Sequence, residues 1–151
     1  MLRPELIRRK LYLIAGDLEL LERYRDISYE DLVGDPIALA AVERILERIV
    51  MRAVDVNQHL ISTLGEGVAA RSTRLTYKDS FLRLPDLGVV PPDVAQAVAP
   101  SAGLRNILVH EYNDVEHLIL FESIGSCLDA YPRYASALLA FVDAEGPADH
   151  E

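Results

Sequence analysis

Apolar residues return every three or four positions through most of this chain, and that rhythm predicts helices rather than strands. Between Pro4 and Tyr24 the residues Leu6, Ile7, Leu11, Ile14, Leu18, Leu21 and Tyr24 form one stripe of an amphipathic helix. The following DISYEDLVGDP has no helical period, and it closes on Asp35 and Pro36, an N-cap residue with a proline at the first helical position. From there ALAAVERILERIVMRAVDVNQHLISTL reaches Gly65 without a breaker. It predicts a long central helix with Ile45, Ile49, Val56, Leu60 and Leu64 among its buried positions.

The glycine-bearing, polar GEGVAARSTRLT is expected to be a loop. A shorter helix over about Tyr77 to Leu87 is stopped by Gly88 and the pair Pro91, Pro92, and Asp93 to Ala99 supplies one or two further turns. Pro100 interrupts, and Ser101 is placed to start the helix that carries RNILVHEY, residues 105 to 112. The last helix runs from about Asp114 to Val142 on Val115, Leu118, Ile119, Phe121, Ile124, Leu128 and Leu138, with Pro132 expected to bend or break it. No alternating strand pattern, glycine-rich nucleotide loop or internal repeat occurs. The chain is therefore expected to be all-α, an antiparallel bundle of four to five helices in one domain over residues 1–143, with 144–151 a frayed tail.

Composition narrows the function. At 151 residues the chain can bury a core without staples, and its single cysteine excludes an internal disulfide and a cysteine-only zinc site. Cys127 is expected to be a buried helical thiol, compatible with a reducing cytosol. The N-terminal segment carries charges throughout and has no small-residue cleavage site, and no run of eighteen apolar residues exists, so a cytoplasmic protein without a membrane segment is expected. A formal charge of −9 opposes bulk attraction to nucleic acid. A nucleic-acid function must then rest on local cations, and Arg71, Arg74, Lys78 and Arg83 fall close together. No metal or other cofactor is expected. His59 follows Asp55 by one turn and Glu111, Glu116 and His117 lie near His110, but no zinc-binding spacing is present.

The densest chemistry is in RNILVHEY. On a helix Arg105 and Tyr112 lie nearly on one face, as do Asn106 and His110, while Arg105 and His110 sit roughly 140° apart. The pair flanks a groove, and a site using both is completed by distortion at the helix end or by a second copy of the segment. These residues can equally be the polar fringe of a packing helix. Histidine near its free pKa serves as base or acid, and arginine offers phosphate a permanently charged planar fork.

The order arginine, polar residue, three more positions, histidine, any residue, tyrosine resembles the signature of the HEPN superfamily, within it the HepT-like toxins of HepT/MntA toxin–antitoxin systems. DPIALAAVERILERIVMRAVDVNQHLI looks like that family's long second helix, and the likeness covers about residues 4 to 143. It implies a metal-independent endoribonuclease acting on RNA, mRNA or tRNA, through attack by the 2′-hydroxyl. His110 is then the base or acid, Arg105 stabilises the transition state, and Asn106 hydrogen-bonds the imidazole or a phosphate oxygen. Asp55 on the central helix is expected to orient the histidine or arginine, or else to be a surface carboxylate near Arg52. The resemblance also implies a symmetric homodimer, and a partner, an MntA-like minimal nucleotidyltransferase antitoxin, that uses ATP to AMPylate Tyr112 and silence the enzyme. The competing expectation is a non-catalytic helical adaptor or substrate-binding subunit of a nucleotidyltransferase.

Overall fold

Capping chemistry fixes where the helices begin. A computed structural model describes residues 1–65, 75–108 and 114–145. Helix α1, Pro4–Glu22, starts with a proline in its first turn and buries Ile7, Leu11, Ile14 and Leu21. Five residues of DISYEDLVGDP form a short helix α2, Tyr29–Val33, where no helix was expected. A single turn is too short to show a period; its signal is Ser28, whose side chain accepts the Asp31 backbone N–H at 3.0 Å. The central helix α3, Pro36–Leu64, begins as expected at Asp35, whose carboxylate accepts the N–H groups of Ile37 and Ala38. Ile45, Ile49, Val56 and Leu60 are buried, but Leu64, expected in the core, is exposed at the helix end.

Thr76 and Asp79 cap helix α4, Tyr77–Leu82, reciprocally. The chain then tightens into a 3₁₀ turn, Leu84–Leu87, which ends at Gly88 with φ +76°, a left-handed position suited to glycine. The single expected helix over 77–87 is thus two elements, divided where Pro85 cannot donate a helical hydrogen bond. Helix α5, Pro92–Val98, leads into a second 3₁₀ turn, Ala99–Gly103, and α6, Leu104–Leu108. Ser101 lies inside that turn rather than starting the helix, and its hydroxyl bonds to the Val98 carbonyl and the Tyr131 hydroxyl, each at 2.6 Å.

Helix α7, Asp114–Glu145, is continuous through Pro132, so the proline does not break it. Tyr131 and Tyr134 flank the proline and are fully buried, their rings 5.5 Å apart and grouped with Phe81. Packing on both sides of the proline offsets the roughly 3 kcal/mol that an interior proline costs. The Tyr134 hydroxyl donates to buried Asn57 Oδ1 at 2.6 Å, with the Ala53 carbonyl at 3.1 Å, and Asn57 Nδ2 donates to Ser80 Oγ at 3.1 Å. This network joins α3, α4 and α7 and leaves the amide satisfied.

Among the described residues every regular element is a helix or 3₁₀ turn, with no strand. Helix α3 is the axis, packed by α1 and by α6, and α1 also lies against α7. No described helix is long and apolar enough to cross a membrane. The last helix extends two residues past the expected domain limit, while 146–151 lie outside the described residues. Its first turns depart from expectation: Val115, Leu118 and Ile119 are exposed rather than inward, at 66, 44 and 41 %.

Candidate active site

Arg105 stands in the first turn of α6, on a backbone anchored by buried Ala102 and Leu104 and by partly buried Ile107. Its guanidinium reaches across to α3, where Nη1 lies 3.5 Å from Glu47 Oε2. Glu47 is also paired with Arg44, one turn earlier, at 3.2 Å. One carboxylate therefore faces two arginines, and the Arg105 side chain remains 38 % exposed. One turn before Glu47, burial holds the Glu43 carboxyl above its ordinary range, with the nearby His117 acting in the opposite sense. Glu43 and Glu47, four residues apart, share a face of α3, and Arg105 of α6 meets Glu47.

Asp55 is not the residue that meets Arg105. Its carboxylate is paired with Lys10 of α1 at 3.1 Å, and eight residues separate it from Glu47, roughly 12 Å along the helix axis. Arg52, its expected neighbour, turns instead to Asp17 at 2.6 Å. An acidic residue on the central helix does face the arginine, but it is Glu47. Sequence alone offered several carboxylates on α3 and no means of knowing which face α6 would cover.

Asn106 is exposed and lines a groove with Thr76, Tyr77, Lys78, Ala102 and Gly103. Of the four clustered cations, Lys78 is exposed and Arg83 partly buried, while Arg71 and Arg74 lie outside the described residues. His110, Glu111 and Tyr112 lie outside them too. His59, considered with Asp55 as a metal ligand, accepts the Arg3 backbone N–H on Nε2 at 3.1 Å and so is tied to the start of α1. Cys127 is buried and its thiol is pushed up to about 12 by desolvation, which keeps it protonated and inert near neutral pH.

A second acid and arginine cluster was missed altogether. Asp17 is only 2 % exposed, and its two oxygens are taken by Arg48 and by Arg52 from α3. A signal existed: position 17 falls on the same stripe as Ile7, Ile14 and Leu21, so a carboxylate there has to be buried with partners. The arrangement rivets α1 to α3.

The chain is similar to known ribonucleases over most of its length. The family model described as ribonuclease HepT-like matches residues 14–138. A protein named tRNA nuclease HepT from Aphanizomenon flos-aquae (strain 2012/KM1/D3) is 32 % identical over 141 residues, covering 93 % of this chain and 92 % of that protein. A protein named "Putative RNase" from Archaeoglobus fulgidus is 26 % identical over 124 residues, covering 82 % of this chain and 83 % of the other.

Proposed function

This chain belongs to the HepT-like ribonuclease family and is an endoribonuclease; from that premise we propose that Arg105 and His110 carry the cleavage, without metal or other cofactor, and that tRNA is its substrate. The 2′-hydroxyl of the nucleotide before the cut attacks phosphorus as its proton passes to a base. The bond from phosphorus to the 5′-oxygen breaks, that oxygen takes up a proton, and the products are a 2′,3′-cyclic phosphate and a 5′-hydroxyl. His110 serves as base or acid, Arg105 binds the charge gathering on the phosphate oxygens, and Asn106 donates to the same phosphate or to the imidazole.

The observation that carries this reading is the seat of Arg105. It leaves a backbone whose neighbours Ala102 and Leu104 are buried, is aimed by Glu47 across a 3.5 Å contact, and keeps more than a third of its side chain in water, where a phosphate can reach it. Long contacts to a half-exposed carboxylate are weak enough to be exchanged for a bidentate phosphate.

A homodimer is the proposed working form, because one chain contributes one histidine to an acid and base cycle. The exposed Val115, Leu118 and Ile119 support it: they share one face at helical spacing, directly after the signature segment, and need cover. In the same proposal the protein is the toxin of a toxin–antitoxin pair in the cytoplasm, and a minimal nucleotidyltransferase antitoxin transfers AMP from ATP to the Tyr112 hydroxyl oxygen, releasing pyrophosphate and the hydroxyl proton. A bulky anion near Arg105 would then occupy the place of the RNA phosphate.

The test is product chemistry. RNA incubated with the protein in excess chelator is expected to yield 2′,3′-cyclic phosphate ends, and the same strand carrying a 2′-deoxy residue at the cut should stay intact. Cleavage that stops in chelator, or that proceeds at the deoxy residue, refutes the mechanism. Coexpression with the nucleotidyltransferase should add mass in steps of one AMP that Tyr112→Phe abolishes.

A further inference from the structure

The groove beside Asn106 has chemistry of its own. One wall is Thr76, Tyr77 and Lys78 at the start of α4, and the other is Ala102, Gly103 and Asn106. Lys78 is exposed, and no described carboxylate pairs with it. The adjacent acid, Asp79, is already engaged: its Oδ2 accepts the Thr76 backbone N–H at 3.3 Å while its own N–H donates to Thr76 Oγ1 at 3.0 Å. Arg105, by contrast, has its charge offset by Glu47. Lys78 is therefore a cation beside the site without a described carboxylate partner, in a chain whose net charge is −9. That second wall leaves open space at Gly103, where an added Cβ would meet nothing within 4 Å.

An acidic protein that cuts RNA repels its substrate at long range and has to hold the strand through local contacts. We propose that this groove binds a backbone phosphate flanking the scissile one, with the Lys78 ammonium as its cation. The assignment rests on the ribonuclease function proposed for the neighbouring Arg105. Lys78 extends the site along the strand: it contributes to holding RNA and takes no part in the bond-breaking step. A lysine contact of this kind is indifferent to base identity, because phosphate carries no sequence information.

The experiment measures binding rather than cleavage. A short single-stranded RNA methylated at every 2′-oxygen cannot be cut by 2′-hydroxyl attack, and its affinity for the full chain is read by fluorescence anisotropy across a series of salt concentrations. Lys78→Gln is expected to weaken binding about fivefold for every sequence tried and to reduce the slope of log K against log salt by about 0.7. Lys78→Arg should restore both, and melting temperatures should match wild type. Equal affinity and slope in wild type and Lys78→Gln, or no binding by wild type, overturns the proposal. Failure of the neighbouring assignment reads differently: there Arg105→Ala cuts RNA at the wild-type rate, whatever the anisotropy shows.

Discussion

Asp17 and Glu47 each serve two arginines, and the two clusters do opposite things with the same chemistry. Asp17 is shut away from water, and its oxygens are met at hydrogen-bonding distance by Arg48 and Arg52 from the helix it packs against. A carboxylate there is tolerable only while both partners stay, so the cluster works as a structural joint. Glu47 keeps 30 % of its side chain exposed, and its contact with Arg105 is 3.5 Å long. Such a pair contributes about 0–1 kcal/mol to stability. It aims the guanidinium without holding it. Water access and distance, more than residue type, separate an arginine that builds the fold from one left open to solvent.

The largest stability effect expected from breaking this contrast is Asp17→Ala. It leaves two guanidinium groups without their anion and should cost roughly 2 kcal/mol, less than a fully buried pair because both arginines keep some contact with water. The melting temperature falls by roughly 4–8 °C, while the folded variant still cuts RNA at the wild-type kcat. An unchanged melting temperature would show that Asp17 is no joint. Glu47→Gln is expected to reverse the pattern: stability stays within about 0.5 kcal/mol of wild type, and kcat falls roughly tenfold as Arg105 loses its aim. A Glu47→Gln enzyme with full kcat, or one that melts early, erases the distinction between the two clusters.

The smallest effect concerns pH. Burial, aided by the charges of Arg3 and the N-terminus, holds the His59 imidazole below its ordinary 6.5, and its Nε2 accepts a hydrogen bond only when neutral. A histidine depressed in the folded state adds stability that is complete above its unfolded pKa and is lost as pH falls through the lowered value. Denaturation midpoints from pH 7 down to 5 should therefore fall more steeply for wild type than for His59→Gln. Parallel curves would remove His59 from the account of how α1 is tied to α3.

The long elements were legible because their determinants are local. Asp35 and Pro36 announce α3, a stripe of seven apolar residues announces α1, and Gly88 stops the segment after α4 as expected. What escaped depends on the third dimension. Pro132 looks like a breaker until the buried Tyr131 and Tyr134 on either side are seen to keep α7 continuous through it. Val115, Leu118 and Ile119 look like core because periodicity cannot tell a face covered by the same chain from one left open. The candidate site divides likewise: spacing singled out Arg105 and Asn106, whereas the pairing of Arg105 with Glu47 rather than Asp55 follows from where α6 crosses α3.

The central claim is that Arg105 is the freed arginine and performs the chemistry. Its most direct test is the rate of RNA cleavage by wild type, Arg105→Ala and Arg52→Ala, measured beside their melting temperatures. Arg105→Ala should lose about 10²–10³ in kcat/KM, the cost of removing one transition-state donor, and melt like wild type, while Arg52→Ala melts earlier but cuts normally once folded. An Arg105→Ala protein that cuts RNA as fast as wild type contradicts the account.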